Sequence, residues 1–137
     1  SEKEMLLATT GTEEKIIQQI IPPKELISAQ NLIRSIPVGE QVIESILKLV
    51  RNSRPYSSEL KIVKEGLLWG AGPRASQSLM IATRARAILD GRLSPSVDDV
   101  LALAEPVLKH RLNLTFSARA DGTTIETIVE EVKKLIE

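Results

Sequence analysis

"WGAGPRASQSLMIATRARAILDGRLSPSVDDV", residues 69–100, carries the clearest signals for the fold of this chain. Pro73 suits the first position of a helix, because its fixed φ is helical and its missing N–H would find no partner there. We therefore predict a helix over 73–90 that ends at Gly91, since glycine readily adopts the conformation that closes a helix. Ser94 then fits the N-cap of a further helix.

The face that the helix over 73–90 buries is predicted from its small and apolar residues. They recur at three- and four-residue spacing, which marks one face of a helix, and they are Ser78, Ile81, Ala82, Ala85, Ile88 and Leu89. Trp69, directly before the turn, is predicted to be a buried anchor rather than a platform for a ligand.

Helical patterns continue on both sides of this stretch. The strongest covers residues 40–51, where apolar and charged residues alternate with a helical period. Weaker patterns predict helices over 4–10, 12–21, 23–35, 94–108 (kinked or split at Pro106) and 125–136. Residues 60–68 stay undecided between helix and strand, and the polar residues 117–124 are predicted to be a connection. The predicted fold is all-α, a small bundle of about six helices.

Composition narrows the classes of function. The chain has 137 residues, 18 Lys+Arg against 18 Asp+Glu, one histidine and no cysteine. Balanced charge gives no overall field to attract nucleic acid, and without cysteine there are no disulfides or thiolate metal sites. Without a signal peptide or an apolar run near the ~20 residues of a membrane span, we expect a cytoplasmic protein. The start at Ser1, without methionine, leads us to expect a fragment of a longer chain.

Motifs for catalysis are missing from the sequence. It has no G-x-x-x-x-G-K-[ST] loop and no H-E-x-x-H pair, and one histidine gives no support for a Ser-His-Asp triad or a metal site. Asp98 and Asp99 are interpreted as favourable charges at a helix start. Nucleic-acid binding through Arg84, Arg86 and Arg92 is a weak alternative, because aromatic residues for stacking are few.

Arg74 is the candidate functional residue. A cation in the first turn of a helix costs about 0.3–1 kcal/mol relative to the other end, whereas the free N–H groups there attract anions. Gly70 and Gly72 let a ligand or another backbone approach closely, and Pro73 fixes the direction in which the helix starts. Because a guanidinium suits bidentate contact with phosphate, Gly72, Pro73 and Arg74 are predicted to meet an oxyanion. An ordinary surface arginine stays open as the other interpretation.

The stretch from Trp69 to Phe116 resembles the C-terminal lid of MoxR-type AAA+ ATPases. Residues 70–75, GAGPRA, are similar to the family's G-A-S-P-R-A turn, with Gly72 in place of the serine. Residues 91–100, GRLSPSVDDV, and the following LALAEPVLKHRL are similar to the steps that close the lid. The likeness extends upstream and covers about the first 120 residues.

The resemblance implies a single lid domain over 1–137 that lacks the P-loop ATPase core. It also implies that Arg74 is the residue called sensor 2, which contacts the terminal phosphates of ATP held by that core, in its own subunit or in a neighbour. The chain alone is then expected to bind no cofactor tightly and to be catalytically inert. The parent protein is expected to bind ATP and Mg²⁺ and to hydrolyse ATP as a ring, with a hexamer favoured.

The same resemblance implies partners for the parent. They are its own AAA+ core, the neighbouring subunits of the ring, and proteins with a von Willebrand A-type domain that it would remodel as a chaperone-like machine. The client, the ring size and the role of the last helix over 124–137 stay open. The alternative hypothesis is a stand-alone helical module that binds a protein through the grooves between its helices and has no ATPase activity.

Overall fold

Eight α-helices and one two-stranded antiparallel ladder form in residues 1–11 and 18–137, which the computed structural model describes. The elements are α1 (Glu2–Thr10), α2 (Pro23–Ser35), α3 (Glu40–Asn52), α4 (Lys61–Gly66), β1 (Leu67–Trp69), α5 (Pro73–Leu89), α6 (Val97–Leu108), β2 (Asn113–Leu114), α7 (Phe116–Ala120) and α8 (Ile125–Lys133). The predicted helical class is confirmed, and the short ladder is an addition to it.

The described residues fall into two compact units, and the first is residues 1–30. It contains α1 and the start of α2, both predicted, and every residue of it that the structure describes is exposed. Residues 12–17 of the helix predicted over 12–21 lie outside the described residues. Its end, 18–21, is not helical, because Pro22 and Pro23 follow and the residue before a proline is driven to an extended conformation.

The second unit, residues 31–137, holds the core. Helix α5 packs against α3 and α6, and α8 packs against α6 and α3. The fully buried side chains of the core come from all four of these helices and from α4, and include Ile46, Leu49, Val63, Leu79, Val100, Leu108, Ile128, Val129 and Val132. The helix predicted over 40–51 is confirmed as α3, because an apolar stripe flanked by charges suits only this half-buried position.

The buried face of α5 differs from the predicted one. Its buried residues are Ala75, Leu79, Thr83 and Ala87, each four positions after the last. Ile81 is instead 44% exposed and Leu89 86% exposed, so the predicted stripe is wrong. The observed stripe is built mainly from small side chains, which lets the neighbouring backbones approach closely, and it lies on a different face of the helix from the predicted one.

Residues 60–68 contain both a helix and a strand. Helix α4 ends at Gly66, and β1 then pairs with β2 through Leu67 opposite Leu114 and Trp69 opposite Asn113, with an irregular register between them. Trp69 is 58% exposed, so its prediction as a buried anchor is wrong. A two-stranded ladder of this length leaves side chains at its end in solvent, whatever their size.

Helix α6 starts later than predicted. Its N-cap is Ser96 rather than Ser94, because the Asp99 carboxylate accepts the Ser96 backbone N–H at 2.8 Å and so fixes the helix start there. The helix runs through Pro106 to Leu108 without a split. The proline removes one backbone hydrogen bond, and burial of the neighbouring Val107 and Leu108 outweighs that loss.

The end of the chain contains one helix that was not predicted. Residues 117–124 were expected to be a polar connection, yet α7 covers Phe116–Ala120. Its N-cap is Thr115, whose hydroxyl accepts the Ala118 backbone N–H at 3.1 Å. The last predicted helix is confirmed as α8, which is capped in the same way by Thr124 and ends at Lys133, three residues earlier than predicted.

Candidate functional site

The start of α5 is open on its N-terminal side. Gly72 is the N-cap with φ −80° and ψ −178°, an extended conformation, and it offers no side chain to the free N–H groups of the first turn. Pro73 is the first helical residue, as predicted. A Cβ built on Gly72 would meet nothing within 4 Å. Helix N-termini attract anions, and no side chain fills the space beside Gly72.

Arg74 extends from this turn into solvent. Its residue is exposed, and no acidic residue lies in the first turn of α5. Within the described part of the chain, its guanidinium forms no salt bridge and no hydrogen bond; only its backbone carbonyl is engaged, accepting the Ser78 hydroxyl at 2.9 Å. A positive charge therefore stands uncompensated at the positive pole of a 17-residue helix.

The loop after α3 lies against the turn that precedes α5. A Cβ built on Gly70 would lie 2.6 Å from the Cα of Arg54 and closer still to the carbonyl oxygen of Ser53, so only glycine allows this approach. The Arg54 Nε–H donates to the carbonyl of Ala71 at 2.6 Å. The two predicted roles of the glycines are therefore divided, since Gly70 admits another backbone and Gly72 leaves open space.

The opposite end of α5 gathers two other arginines. Arg92 donates to both carboxylate oxygens of Asp99, at 2.6 and 2.8 Å, and Arg86 Nε lies 3.1 Å from the same carboxylate. The Asp99 side chain is 2% exposed, and its hydrogen bonds from Arg92, more than any other contact, lower its pKa. Two of the three arginines considered for nucleic-acid binding are thus held by one carboxylate, which weakens that alternative.

The role of Asp99 was missed in the sequence, where it was grouped with Asp98 as a helix-start charge. A signal was present, because Ser96 and Asp99 have the spacing of a reciprocal cap. Its second role, as the partner of Arg92, could be recognised only from the structure. Asp98 itself is exposed and keeps the predicted interpretation.

Helix α5 is closed at this end by a left-handed glycine. Gly91 has φ +73°, the Gly91 N–H donates to the Ile88 carbonyl at 2.9 Å, and the Arg92 N–H donates to the Ala87 carbonyl at 2.7 Å. This pair of bonds satisfies carbonyls that would otherwise be unpaired at the helix end. The predicted stop at Gly91 is confirmed.

A groove of about 640 Å³ runs between α3 and α5. Its walls are mostly apolar and carry two arginines but no acidic residue; they comprise Arg34, Ile43, Ile46, Leu47, Ser76, Gln77, Met80, Ile81 and Arg84. The Nε atom of Arg84 is buried and finds no hydrogen-bond acceptor among the described residues. The groove begins two residues after Arg74, on the same helix.

The described residues lack two features, a cluster of metal-ligating side chains and a membrane-spanning helix. No group of three or more His, Cys, Asp or Glu side chains is placed to hold a metal ion in residues 1–11 and 18–137. In the same ranges no helix has both the length and the apolar character needed to cross a membrane.

Comparison with known proteins relates the chain to AAA ATPases. Residues 59–132, more than half of the chain, match the AAA lid domain family. The chain is 27% identical over 136 residues to Chaperone MoxR1 of Mycobacterium tuberculosis, covering 98% of this chain and 36% of that protein. It is 28% identical over 120 residues to the uncharacterized protein YeaC of Bacillus subtilis, covering 88% of this chain and 35% of that protein.

A solved structure has the same fold. The crystal structure of a candidate ATPase from Cytophaga hutchinsonii superposes with a TM-score of 0.82 and 24% identity, covering 97% of this chain and 41% of that one. The chain spans about a third of the length of the curated relatives that it matches. It belongs to the AAA lid domain family and is homologous, over nearly its whole length, to a MoxR chaperone.

Proposed function

We propose that this lid serves a MoxR-type ATPase and that Arg74 contacts the terminal phosphates of ATP bound to a core domain. The observation that carries the proposal is the uncompensated guanidinium at the open start of α5. Within a soluble domain, a cation in this position weakens the helix by about 0.3–1 kcal/mol, so a polyphosphate partner would turn an unfavourable charge into a favourable one.

The residues at the turn suit a polyphosphate. Gly72 leaves space beside the free N–H groups, Pro73 sets the helix direction, and the Arg74 guanidinium can form two parallel hydrogen bonds with phosphate oxygens. No carboxylate lies in this first turn, and the described residues form no cluster that could hold a metal ion, so residues of the core would hold Mg²⁺. The nucleotide would supply the phosphoryl group, and this chain would supply a positive charge next to it.

A contact to the terminal phosphate would also couple the lid to the state of the nucleotide. ATP and its hydrolysis product differ in that phosphate, so Arg74 would bind one state better than the other and would shift the orientation of the lid. In the parent, such movements would drive a ring of subunits, with a hexamer favoured, to remodel partner proteins, including those with von Willebrand A-type domains. Arg74 would act in its own subunit or on a neighbour.

The test is replacement of Arg74 in the parent ATPase. Arg74→Ala should lower ATP turnover by about 100-fold, as for other preorganised donors that face developing charge, while the unfolding transition of the lid stays unchanged. Arg51→Ala is the matched control, because Arg51 is also an exposed helical arginine but lies at the end of α3. Normal turnover by correctly assembled Arg74→Ala rings would refute the assignment.

The isolated chain provides a second test. Without a core domain, the 137 residues should show no ATP hydrolysis above the buffer rate. Turnover that follows the chain through purification, and that survives a change of expression host, would contradict the proposal that catalysis needs a separate nucleotide-binding domain.

A second candidate function, protein binding without ATPase activity, is favoured by the groove between α3 and α5. Its apolar walls and two arginines suit a segment with apolar side chains and a carboxylate. The sequence that precedes Ser1 in the natural gene separates the two candidates. A P-loop motif there supports the ATPase lid, whereas its absence leaves the interaction module.

A further inference from the structure

We propose that Arg54 is a positioning residue that sets the direction of Arg74 through the carbonyl group of Ala71. The inference rests on the proposed function of Arg74 and adds a residue that no sequence signal singled out. Arg54 lies in the loop after α3, 17 residues before Ala71, and its Nε–H donates to the Ala71 carbonyl at 2.6 Å. Ala71 itself is buried and lies three residues before Arg74.

The loop that carries Arg54 is itself firmly held. Ser53 is fully buried, and its hydroxyl donates to the Val50 carbonyl at 2.8 Å. The buried Asn52 side chain donates to the Lys48 carbonyl at 3.1 Å and accepts the Glu59 N–H at 2.8 Å. These bonds join the end of α3 to both sides of the loop, so the Arg54 backbone starts from a fixed position.

The turn before α5 is held at Gly70, Ala71 and Pro73. Gly70 lies against the backbone of Ser53 and Arg54, the Ala71 carbonyl accepts the Arg54 Nε–H, and Pro73 has a fixed φ. Gly72 leaves its side-chain position empty, and its carbonyl accepts the Ala75 N–H at 3.0 Å. The backbone that leads to Arg74 is therefore held at Gly70 by close packing and at Ala71 by the buried side chain and by the hydrogen bond from Arg54.

An arginine that contacts phosphate must be held in one orientation to be effective. A guanidinium that samples several directions meets the phosphate in fewer encounters with productive geometry, and a displacement of about 1 Å costs up to about 100-fold in rate. Loss of the Arg54 contact should therefore lower kcat more than it changes KM. Arg54 would act through Ala71 and would not itself touch the nucleotide.

Three substitutions separate a positioning role from a role of charge. The amide nitrogen of glutamine occupies the place of Nε in arginine, so Arg54→Gln keeps the donor to Ala71 and removes the charge. Arg54→Lys keeps the charge and places a carbon where Nε stood, and Arg54→Met removes both. In the parent ATPase we expect Gln to retain kcat within about threefold, and Met and Lys to lower it about tenfold or more.

A double-mutant cycle ties the effect to Arg74. In an Arg74→Ala background, Arg54→Met should cause no further loss, because the group that it positions is already absent. Multiplicative losses would show that Arg54 acts independently, and retention of activity by Lys but not by Gln would show a role of charge; either result overturns the inference. If Arg74→Ala alone leaves turnover unchanged, the proposed function fails instead.

A measurement on the 137-residue chain tests the inference without any ATPase activity. NMR order parameters of the backbone N–H groups at Gly72 and Arg74 should fall from about 0.85 toward 0.6 in Arg54→Met and stay high in Arg54→Gln. The midpoint of urea unfolding, recorded for both variants, identifies any global loss of structure. Equal order parameters in a folded Arg54→Met chain would overturn the inference.

Discussion

Arginines at the two ends of α5 have opposite electrostatic environments. At the N-terminal end, Arg74 faces solvent without a carboxylate in its turn, although the helix dipole disfavours a cation there. At the C-terminal end, Arg86 lies where the dipole favours it, and Asp99 pairs with it and with Arg92 in addition. One end pairs its arginines with a carboxylate of the chain, and the other leaves its arginine without a carboxylate among the described residues.

This difference separates the residues that hold the lid together from those available for binding. Gly91, Asp99 and the paired arginines close one end of the helix through bonds within the chain. At the other end, Gly72 has no side chain, and the Arg74 guanidinium forms no bond to the described residues. Since natural sequences are locally consistent except where function requires otherwise, the open end is where we expect a ligand.

The largest effect on the closed end should come from Asp99→Asn. The variant replaces a buried carboxylate that accepts from Arg92, Arg86 and Ser96, and we expect a loss of about 2–3 kcal/mol in the free energy of unfolding. Urea unfolding monitored by circular dichroism measures it. Asp98→Asn is the control, with a change below about 0.5 kcal/mol, since Asp98 is exposed. Equal losses at both positions would contradict the conclusion that Asp99 stabilises the C-terminal end of α5.

Low pH should destabilise the C-terminal end of α5, because protonation of Asp99 weakens its contact with Arg92. The hydrogen bonds from Arg92 lower the pKa of Asp99, so the folded state binds its proton less readily than the unfolded state does. The stabilisation is therefore complete above the ordinary aspartate pKa of about 3.9 and is lost as the pH falls below that value toward the folded pKa. The difference in unfolding free energy between wild type and Asp99→Asn should shrink from pH 5 to pH 3. A constant difference would show that the charge contributes nothing.

A smaller loss should follow from Gly91→Ala. At φ +73° an alanine Cβ approaches the following carbonyl, and we expect a cost of about 1 kcal/mol. Gly39→Ala serves as the control, because this N-cap glycine has φ −66° and nothing within 4 Å of a Cβ. Thermal unfolding of the two variants compares them directly, and a larger loss at Gly39 would count against the role given to Gly91.

The smallest effect has the opposite sign. Arg74→Gln should raise the stability of the isolated chain by about 0.3–1 kcal/mol at low salt, because it removes a cation from the positive end of α5. The same change at Arg86 should lower stability, since it removes a partner of Asp99. Both effects should shrink at high salt. A loss of stability in Arg74→Gln would mean that this arginine also holds the fold.

Local signals in the sequence were sufficient for much of the fold. Pro73 and Gly91 bound α5 as predicted, and the apolar period of α3 placed that helix. The position of Arg74 at a helix start followed from Pro73 alone, without knowledge of the fold. These features depend on neighbours within a turn or two, which a sequence displays directly.

Features that depend on distant contacts were not predictable in the same way. The contact of Arg54 with Ala71 spans 17 residues, and β1 exists only because β2 lies 44 or more residues later beside it. The buried face of α5 depends on how closely its neighbours approach, which the size of its own side chains does not reveal. Trp69 shows the same limit, because its exposure follows from the end of the ladder.

Helix α5 connects Arg74 to the Asp99 cluster as one continuous helix. Between Arg74 and Arg86, the α5 residue that pairs with Asp99, twelve residues at 1.5 Å per residue give a distance of about 18 Å along the axis. A tilt of about 5° around the closed end would move the guanidinium by about 2 Å, which is enough to form or break a hydrogen bond. Because α5 is buried along one face against α3 and α6, such a tilt would have to move the neighbouring helices with it.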